Sequence, residues 1–300
     1  MRYLIGIDAG TTSIKALMLG ESGEVRAAAG AEYSLDSGEG DRCEVDAEVY
    51  WDTTCEVIRE LLLKSKVMPD QIAGMAISSQ GETLICLDDK GRPLRKAIVW
   101  LDNRSVGESK LINGKFDPDR IMEVTGQPEV LPLWPATRIL WFREQEPEIF
   151  RNTSKYLLVE DYLMYRLTGR YCTEYSLASD TLYFDIRKKV WWEEMLDYLD
   201  IPVSRLPELM PSGSPVGNLT RQAARDTGLS AATLCVTGAY DHPAGAIGAG
   251  NLVPGMVTLT IGAAMAMCVT LKEPVTDNSL RLSCQCHPLD DLYFLLPYAP

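Results

Sequence analysis

The sequence predicts an α/β fold built on a mixed sheet. Three observations carry this. Apolar, strand-like runs joined by short polar turns open the chain, residues 47–65 switch to helical spacing, and strand and helix patterns then alternate to the end. Antiparallel strands first and helices later make a mixed sheet, not a purely parallel one.

Tyr3–Ile7 and Ile14–Leu19 read as two strands joined by Asp8–Ser13. Glu21–Gly23 turns the chain into a third strand, Val25–Ser34, which completes an antiparallel meander. Asp46 or Asp52 is placed to cap a helix over Ala47–Ser65, whose Val49, Thr53, Val57, Leu61 and Leu62 keep helical spacing. Ile72–Ser78 is a short apolar strand followed by the polar "SSQGET". Leu84–Asp88, "DKGRP" and Ala97–Trp100 read as a hairpin with a glycine turn and a further strand.

Ser105–Gly126 reads as helical and polar, until Pro128, Pro132 and Pro135 interrupt it. Pro135–Gln145 and Tyr156–Leu167 read as two more helices, the second ending at Gly169 before an extended run. "DIRKKVWWEEMLDYLDIP" is amphipathic and reads as a helix. Leu234–Ala239 is a strand, and Asp241 opens a segment rich in Gly and Ala that runs to Gly250. Val257–Ile261, Met265–Leu271, Arg281–Cys286 and Leu292–Leu296 are strand-like. "DAGTTS" and "TIGAAMAM" are both glycine turns between strands, a weak internal echo of two loops facing each other across a cleft.

Composition narrows the function. A net charge of −13 argues against a nucleic-acid partner and against an anionic membrane surface. Small anionic ligands stay open, because backbone amides or a metal ion bind phosphate without net positive charge. No stretch approaches the ~20 apolar residues of a membrane span. Eight scattered cysteines in apolar runs and a start without a basic-then-apolar leader fit a cytoplasmic protein with reduced thiols. "CQCHP" lacks the second ligand pair of a zinc site, and with only His242 and His287 in the chain a Ser-His-Asp or Cys-His hydrolase is disfavoured.

Three stretches carry candidate chemistry. In "YLIGIDAGTTSIKAL" the Gly10-Thr11-Thr12 turn offers successive amides and two hydroxyls, which suit phosphate oxygens. Asp8 beside bound phosphates requires a cation, and Mg²⁺ takes one or two carboxylates with phosphate and water; Lys15 adds positive charge. A plain hairpin with a capping Asp explains the same residues. In "GAYDHPAGAIGAG", Asp241 stands near a helix start, either as an anion favoured by the helix dipole or as a base taking a proton from a substrate hydroxyl. In "SSQGET", Gln80 and Glu82 have the donors and acceptors that bind sugar hydroxyls, although a polar loop after a strand needs no other reason. "WLDNR" sets Trp100 beside Asp102 and Arg104, which equally make a structural ion pair. There is no Rossmann fingerprint and no GxxxxGK[ST] loop.

Taken in this order, "GIDAGTTSIKALML", "AISSQGETLICLDDKGRPLRKAIVWLDNR", "YLLVEDYLMYRLTG" and "GAYDHPAGAIGAGNLVPG" make the chain resemble the FGGY carbohydrate kinases, relatives of glycerol kinase and xylulokinase. The resemblance implies a ribonuclease H-like fold of the actin and hexokinase type, with two domains around a cleft. It implies ATP as co-substrate with Mg²⁺ near Asp8, and Gly10, Thr11, Thr12 and Lys15 at the phosphates. Gly262 would belong to a second phosphate loop, and Asp241 would be the base. Gln80, Glu82, Asp102, Trp134 and His242 would meet a small sugar or polyol.

The chain departs from the family at several positions. Gly81 stands where glycerol kinases carry Arg, which weakens glycerol, and Gly81-Glu82 stands where xylulokinases usually carry Met-His, so neither substrate is fixed; with the glycerol kinases' Arg missing, a ketopentose such as xylulose is preferred. Ala263 and Ala264 follow Gly262 in place of a hydroxyl residue. The family usually runs much longer, so residues 1–250 are expected to be the sugar-binding domain and 251–300 the start of a nucleotide-binding domain. A kinase for glycerol or another polyol and a non-catalytic, actin-like sugar-binding module are the other readings. The resemblance leaves a homodimer open.

Overall fold

The computed structural model describes residues 2–38, 41–261, 265–277, 279 and 281–299. The opening meander forms as the sequence predicts. β1 (Tyr3–Ala9), β2 (Ser13–Gly20) and β3 (Val25–Glu32) pair antiparallel, with Asp8 opposite Lys15. Ile5, Ile7, Ile14, Ala16 and Met18 alternate onto the buried face, as a period of two requires.

That face is covered by α1 (Ala47–Ser65), which buries Tyr50, Trp51, Val57, Ile58 and Leu61. Asp46, not Asp52, caps it by accepting the N–H of Glu48 at 3.0 Å, and Lys66 closes it in the left-handed region. The chain then returns as β4 (Ile72–Ser79), parallel to the other edge of β1.

A helical layer follows. The predicted helix over 105–126 is two helices, α2 (Val106–Lys115) and α3 (Pro118–Thr125), because Pro118 cannot continue a helix and Asp117 caps a new one through the N–H of Asp119. α4 (Pro135–Gln145) forms with its predicted bounds. The helix expected from Tyr156 starts later: Lys155–Leu157 is a strand, and α5 (Val159–Thr168) begins where the Asp161 carboxylate accepts the Leu158 N–H, ending at Gly169. "DIRKKVWWEEMLDYLDIP" is a helix only over Glu193–Leu199. Asp185 accepts the N–H groups of Arg187 and Lys188, which folds the chain into a hairpin, Phe184–Asp185 against Val190–Trp191.

β5 (Pro215–Asn218) and α6 (Arg221–Thr227), without a sequence signal, lead into β6 (Leu234–Val236) and β7 (Ala239–Tyr240). Both β6 and β7 lie parallel along the free edge of β4. The main sheet therefore runs β5–β6–β4–β1–β2–β3, with β7 beyond β6 on β4. α7 (Asp241–Gly248) leaves directly from β7.

A second sheet follows. β8 (Val257–Ile261), β9 (Met265–Leu271), β10 (Ser283–Cys286) and β11 (Tyr293–Leu296) take the order β8–β9–β11–β10. The Cys284 N–H donates to the Gly126 carbonyl at 2.8 Å, which ties this sheet to the helical layer. Gly262, Ala263 and Ala264, the expected second phosphate loop, lie outside the described residues. No disulfide joins the cysteines, and no helix among the described residues is long and apolar enough to cross a membrane.

Candidate functional site

Three parallel strands set the site. Asp8 on β1, Ser78 on β4 and Ala239 on β7 lie side by side, and so do Ala9, Ser79 and Tyr240 one step on. The residues that follow, Gly10–Thr12, Gln80–Thr83 and Asp241–His242, therefore leave the same carboxyl edge of the sheet, where open α/β sheets take their ligands. Distant stretches meet there because the register puts them there.

The first turn is braced from several sides. The Gly10 N–H donates to the Ser13 carbonyl at 3.0 Å, and the Gly10 carbonyl accepts from Gln80 Nε2 and the Tyr33 hydroxyl. Trp100 Nε1 donates to the Thr11 hydroxyl at 2.9 Å. Gln80 is 3% exposed; its amide also donates to the Tyr50 hydroxyl, and its oxygen accepts from Thr83. Its side chain is thus spent on holding the loop. Lys15, opposite Asp8, lines with Asp8, Ser78, Gly238 and Ala239 a largely apolar groove of about 690 Å³.

The acidic groups converge. The Asp8 carboxylate accepts from the Ser78 hydroxyl at 3.2 Å. Asp241 has a buried Oδ1 without a hydrogen-bond partner. Burial first, and then the Asp8 carboxylate, push the Asp241 carboxyl up to about 7, with the His242 N–H working the other way. Glu82 sits in the left-handed region at φ 56°, a strained backbone for a residue with a Cβ. Burial and then Asp241 push its carboxyl up to about 8, against the pull of Arg138. His242 packs edge-on to Tyr240 at 5.3 Å, and burial keeps its imidazole below the usual value, hence neutral.

Asp102 and Trp134 lie a layer deeper. Asp102 is fully buried and binds Arg104 and the Cys43 N–H. Burial works to raise its pKa, but Arg104 and the Cys43 N–H outweigh it and hold the carboxyl below the usual range. Trp134 opens α4, and its Nε1 donates to the Glu129 carbonyl at 2.9 Å. The link to the site is Arg138, itself fully buried. Its guanidinium donates to the carbonyls of Glu82 (2.6 Å), Ile98 (3.3 Å), Val99 (2.8 Å) and Asp102 (3.3 Å), which fixes the backbone under Glu82.

Sequence reasoning missed Arg138 and Asp180. Asp180 is 1% exposed; its Oδ1 accepts from Gln285 Nε2, and its Oδ2 has no partner. Burial, then Glu82 and Asp241, push it well above the carboxylate range. A single Asp in "SLASD" and a single Arg inside a helix give no local signal of this.

The donor set fits Mg²⁺. Asp8 at the end of β1 offers the one carboxylate that this ion can take alongside phosphate and water, which leaves the unpartnered oxygen of Asp241 free. Among the described residues no three His, Cys, Asp or Glu side chains converge to cage a metal by themselves.

These buried carboxyls carry a stability consequence. Each of Asp161, Asp241 and Glu82 binds its proton more tightly folded than unfolded, so between about pH 4 and pH 8 the folded chain holds more protons. Stability is then full at the acid end of that window and falls as pH rises through it. Stability is expected to be lower at pH 8 than at pH 5 by on the order of 1 kcal/mol or more, read as a lower Tm in thermal unfolding followed by circular dichroism. An unchanged or rising Tm would contradict these assignments.

The mixed sheet with flanking helices is the ATPase fold of the actin and hexokinase type, and Asp8, the Gly10–Thr12 turn and Asp241 stand at its carboxyl edge. A model of the FGGY family of carbohydrate kinases, N-terminal domain, matches residues 3–248, and the chain belongs to that family. It is 35% identical to a xylulose kinase of Bacillus subtilis over 262 residues, 87% of this chain and 52% of that protein. It is 28% identical to a gluconokinase of the same organism over 295 residues, 98% of this chain and 56% of that one. The solved xylulose kinase of Rhodospirillum rubrum superposes with a TM-score of 0.93 at 27% identity, covering 99% of this chain and 60% of that one. The chain thus spans about half the length of the relatives it matches.

Proposed function

We propose that the chain is the sugar-binding and proton-accepting part of an ATP-dependent sugar kinase whose acceptor is a ketopentose such as xylulose. The observation that carries this is Asp241: a carboxyl at the carboxyl edge of the sheet, with one buried oxygen unengaged and its pKa at about 7. Such a group is poised between base and acid near neutral pH.

The acceptor hydroxyl would donate to the free oxygen of Asp241. As that hydroxyl oxygen attacks the γ-phosphorus of ATP, its proton passes to the Asp241 carboxylate and ADP leaves. Gly10, Thr11 and Thr12 would hold phosphate oxygens through backbone amides and hydroxyls, and Lys15 would add charge. Mg²⁺, held by Asp8 with phosphate and water, would offset the phosphate charge when bound. Glu82 and His242 would orient the sugar, while Gln80, Asp102 and Trp134 support the loops around it. Residues 251–300 would begin the nucleotide-binding domain, with Gly262 at its phosphate loop. The likeness to xylulose kinases supports a ketopentose over glycerol.

ADP release is the test. With Mg-ATP and a panel of ketopentoses, aldoses, polyols and glycerol, release is expected with a ketopentose and to stop when EDTA removes the metal. Release on glycerol alone would replace the acceptor. Sugar binding without release would favour a binding module.

A further inference from the structure

Glu82 stands in a three-residue turn that its backbone does not favour. The Thr83 N–H donates to the Gly81 carbonyl at 2.6 Å, two residues back, with Glu82 between them at φ 56°. A turn closed this way around a positive φ is rare and strained, and a residue with a Cβ keeps it only where the surroundings hold it there. Arg138, from α4, supplies that hold. Its Nη1 donates to the Glu82 carbonyl at 2.6 Å and its Nη2 to the Val99 carbonyl at 2.8 Å, with longer bonds to the Ile98 and Asp102 carbonyls. A fully buried guanidinium whose bonds go to main-chain carbonyls, with Nε left unpartnered, is a costly way to stabilise a fold. What it joins gives the reason: the loop after β4 on one side and the segment 98–102 on the other. The carboxyl carried on that strained turn lies close enough to Asp241 to feel its charge.

We propose that Arg138 is a positioning residue of the acceptor site: its guanidinium ties the Glu82 carbonyl to the segment 98–102, which keeps Glu82 in its strained turn and its carboxyl turned to the acceptor. The proposal rests on Glu82 meeting the acceptor, as argued above. Without Arg138, the Glu82 backbone is free to leave the positive-φ region, and the carboxyl leaves with it. Lysine at this position keeps the charge but loses the planar fork, so one ammonium cannot serve carbonyls on both segments in the same geometry. Arg138 acts through Glu82 and is not itself a catalytic group.

Two comparisons on the 300-residue chain test this. The first is urea unfolding of Glu82→Gly and Glu82→Ala. Both variants lose the carboxyl, so they differ in backbone preference. Glycine is ordinarily the less stable of the two, whereas here Glu82→Gly is expected to show the higher urea midpoint. With Arg138→Lys or Arg138→Met added, that order is expected to disappear. The second comparison is isothermal titration with xylulose. Arg138→Lys and Glu82→Ala are each expected to weaken binding ~10-fold, and the double variant to bind no more weakly than Glu82→Ala alone. An arginine with a merely structural role would give two losses that multiply. Alanine at least as stable as glycine, a glycine advantage that survives loss of Arg138, or losses that multiply would each overturn the proposal and leave the kinase reading intact. Failure of both Arg138 variants to fold would make Arg138 a residue of the fold and overturn it too. No xylulose binding by the wild type would overturn the acceptor reading and the proposal together.

Discussion

Replacing Asp241 by asparagine is expected to remove sugar phosphorylation and leave sugar affinity nearly unchanged. Asparagine keeps the shape of the side chain and an oxygen to accept the acceptor hydroxyl, but it cannot take the proton. Base assistance of this kind is worth about 10²–10⁴ in rate, so kcat should fall by that factor while KM for the sugar moves little. The pH profile sharpens the test. Activity of the wild type should rise through about pH 7, as the Asp241 carboxyl becomes a carboxylate, and the residual activity of the variant should lose that limb. A variant retaining full rate would remove Asp241 from the mechanism.

The largest expected effect on stability is at Gly238. A Cβ there would lie 1.7 Å from the Ile77 carbonyl oxygen and 2.6 Å from its carbon, both backbone atoms of β4 that have nowhere to move. The close approach is what lets β7 join β4 and deliver Asp241 beside Asp8. The Gly238 N–H is also engaged, donating to the buried Glu160 at 2.8 Å. Gly238→Ala is expected to cost about 3 kcal/mol or more, read as a lower urea midpoint at unchanged slope. A midpoint within experimental error of wild type would show that the sheet yields there more easily than the geometry implies.

What was legible in the sequence is what chain-local patterns encode. The meander, the helix over 47–65 and the strand before "SSQGET" follow from periodicity and turns; Asp8 stands out because it closes a strand before a glycine turn, and Asp241 because it follows a strand and opens a segment rich in Gly and Ala. The break between α2 and α3 was legible in Asp117-Pro118, but the polar helical pattern on both sides hid it. The hairpin around Asp185 was hidden because its driving force, two backbone N–H groups on one carboxylate, competes with an amphipathic pattern that a helix would also satisfy. Arg138 and Asp180 were not legible at all. Their partners, from Glu82 to Gln285, are far away in sequence, and only the packing of the helical layer on both sheets brings them together. Asp102 shows the reverse case: its neighbours in the chain, Arg104 above all, explain it as an ion pair.

The strand order has a consequence for how the molecule is made. β1, β2 and β3 draw only on the first 32 residues, and β4, which pairs with the other edge of β1, ends at residue 79. The other edge of β4 finds its partners only in residues 234–240. Synthesis from the amino end therefore leaves a sheet edge rich in Ile, Ala and Met without its partners until more than half of the chain has followed it. Asp241 arrives with the strand that ends the wait, so the base is in place only once that exposed edge has been sealed.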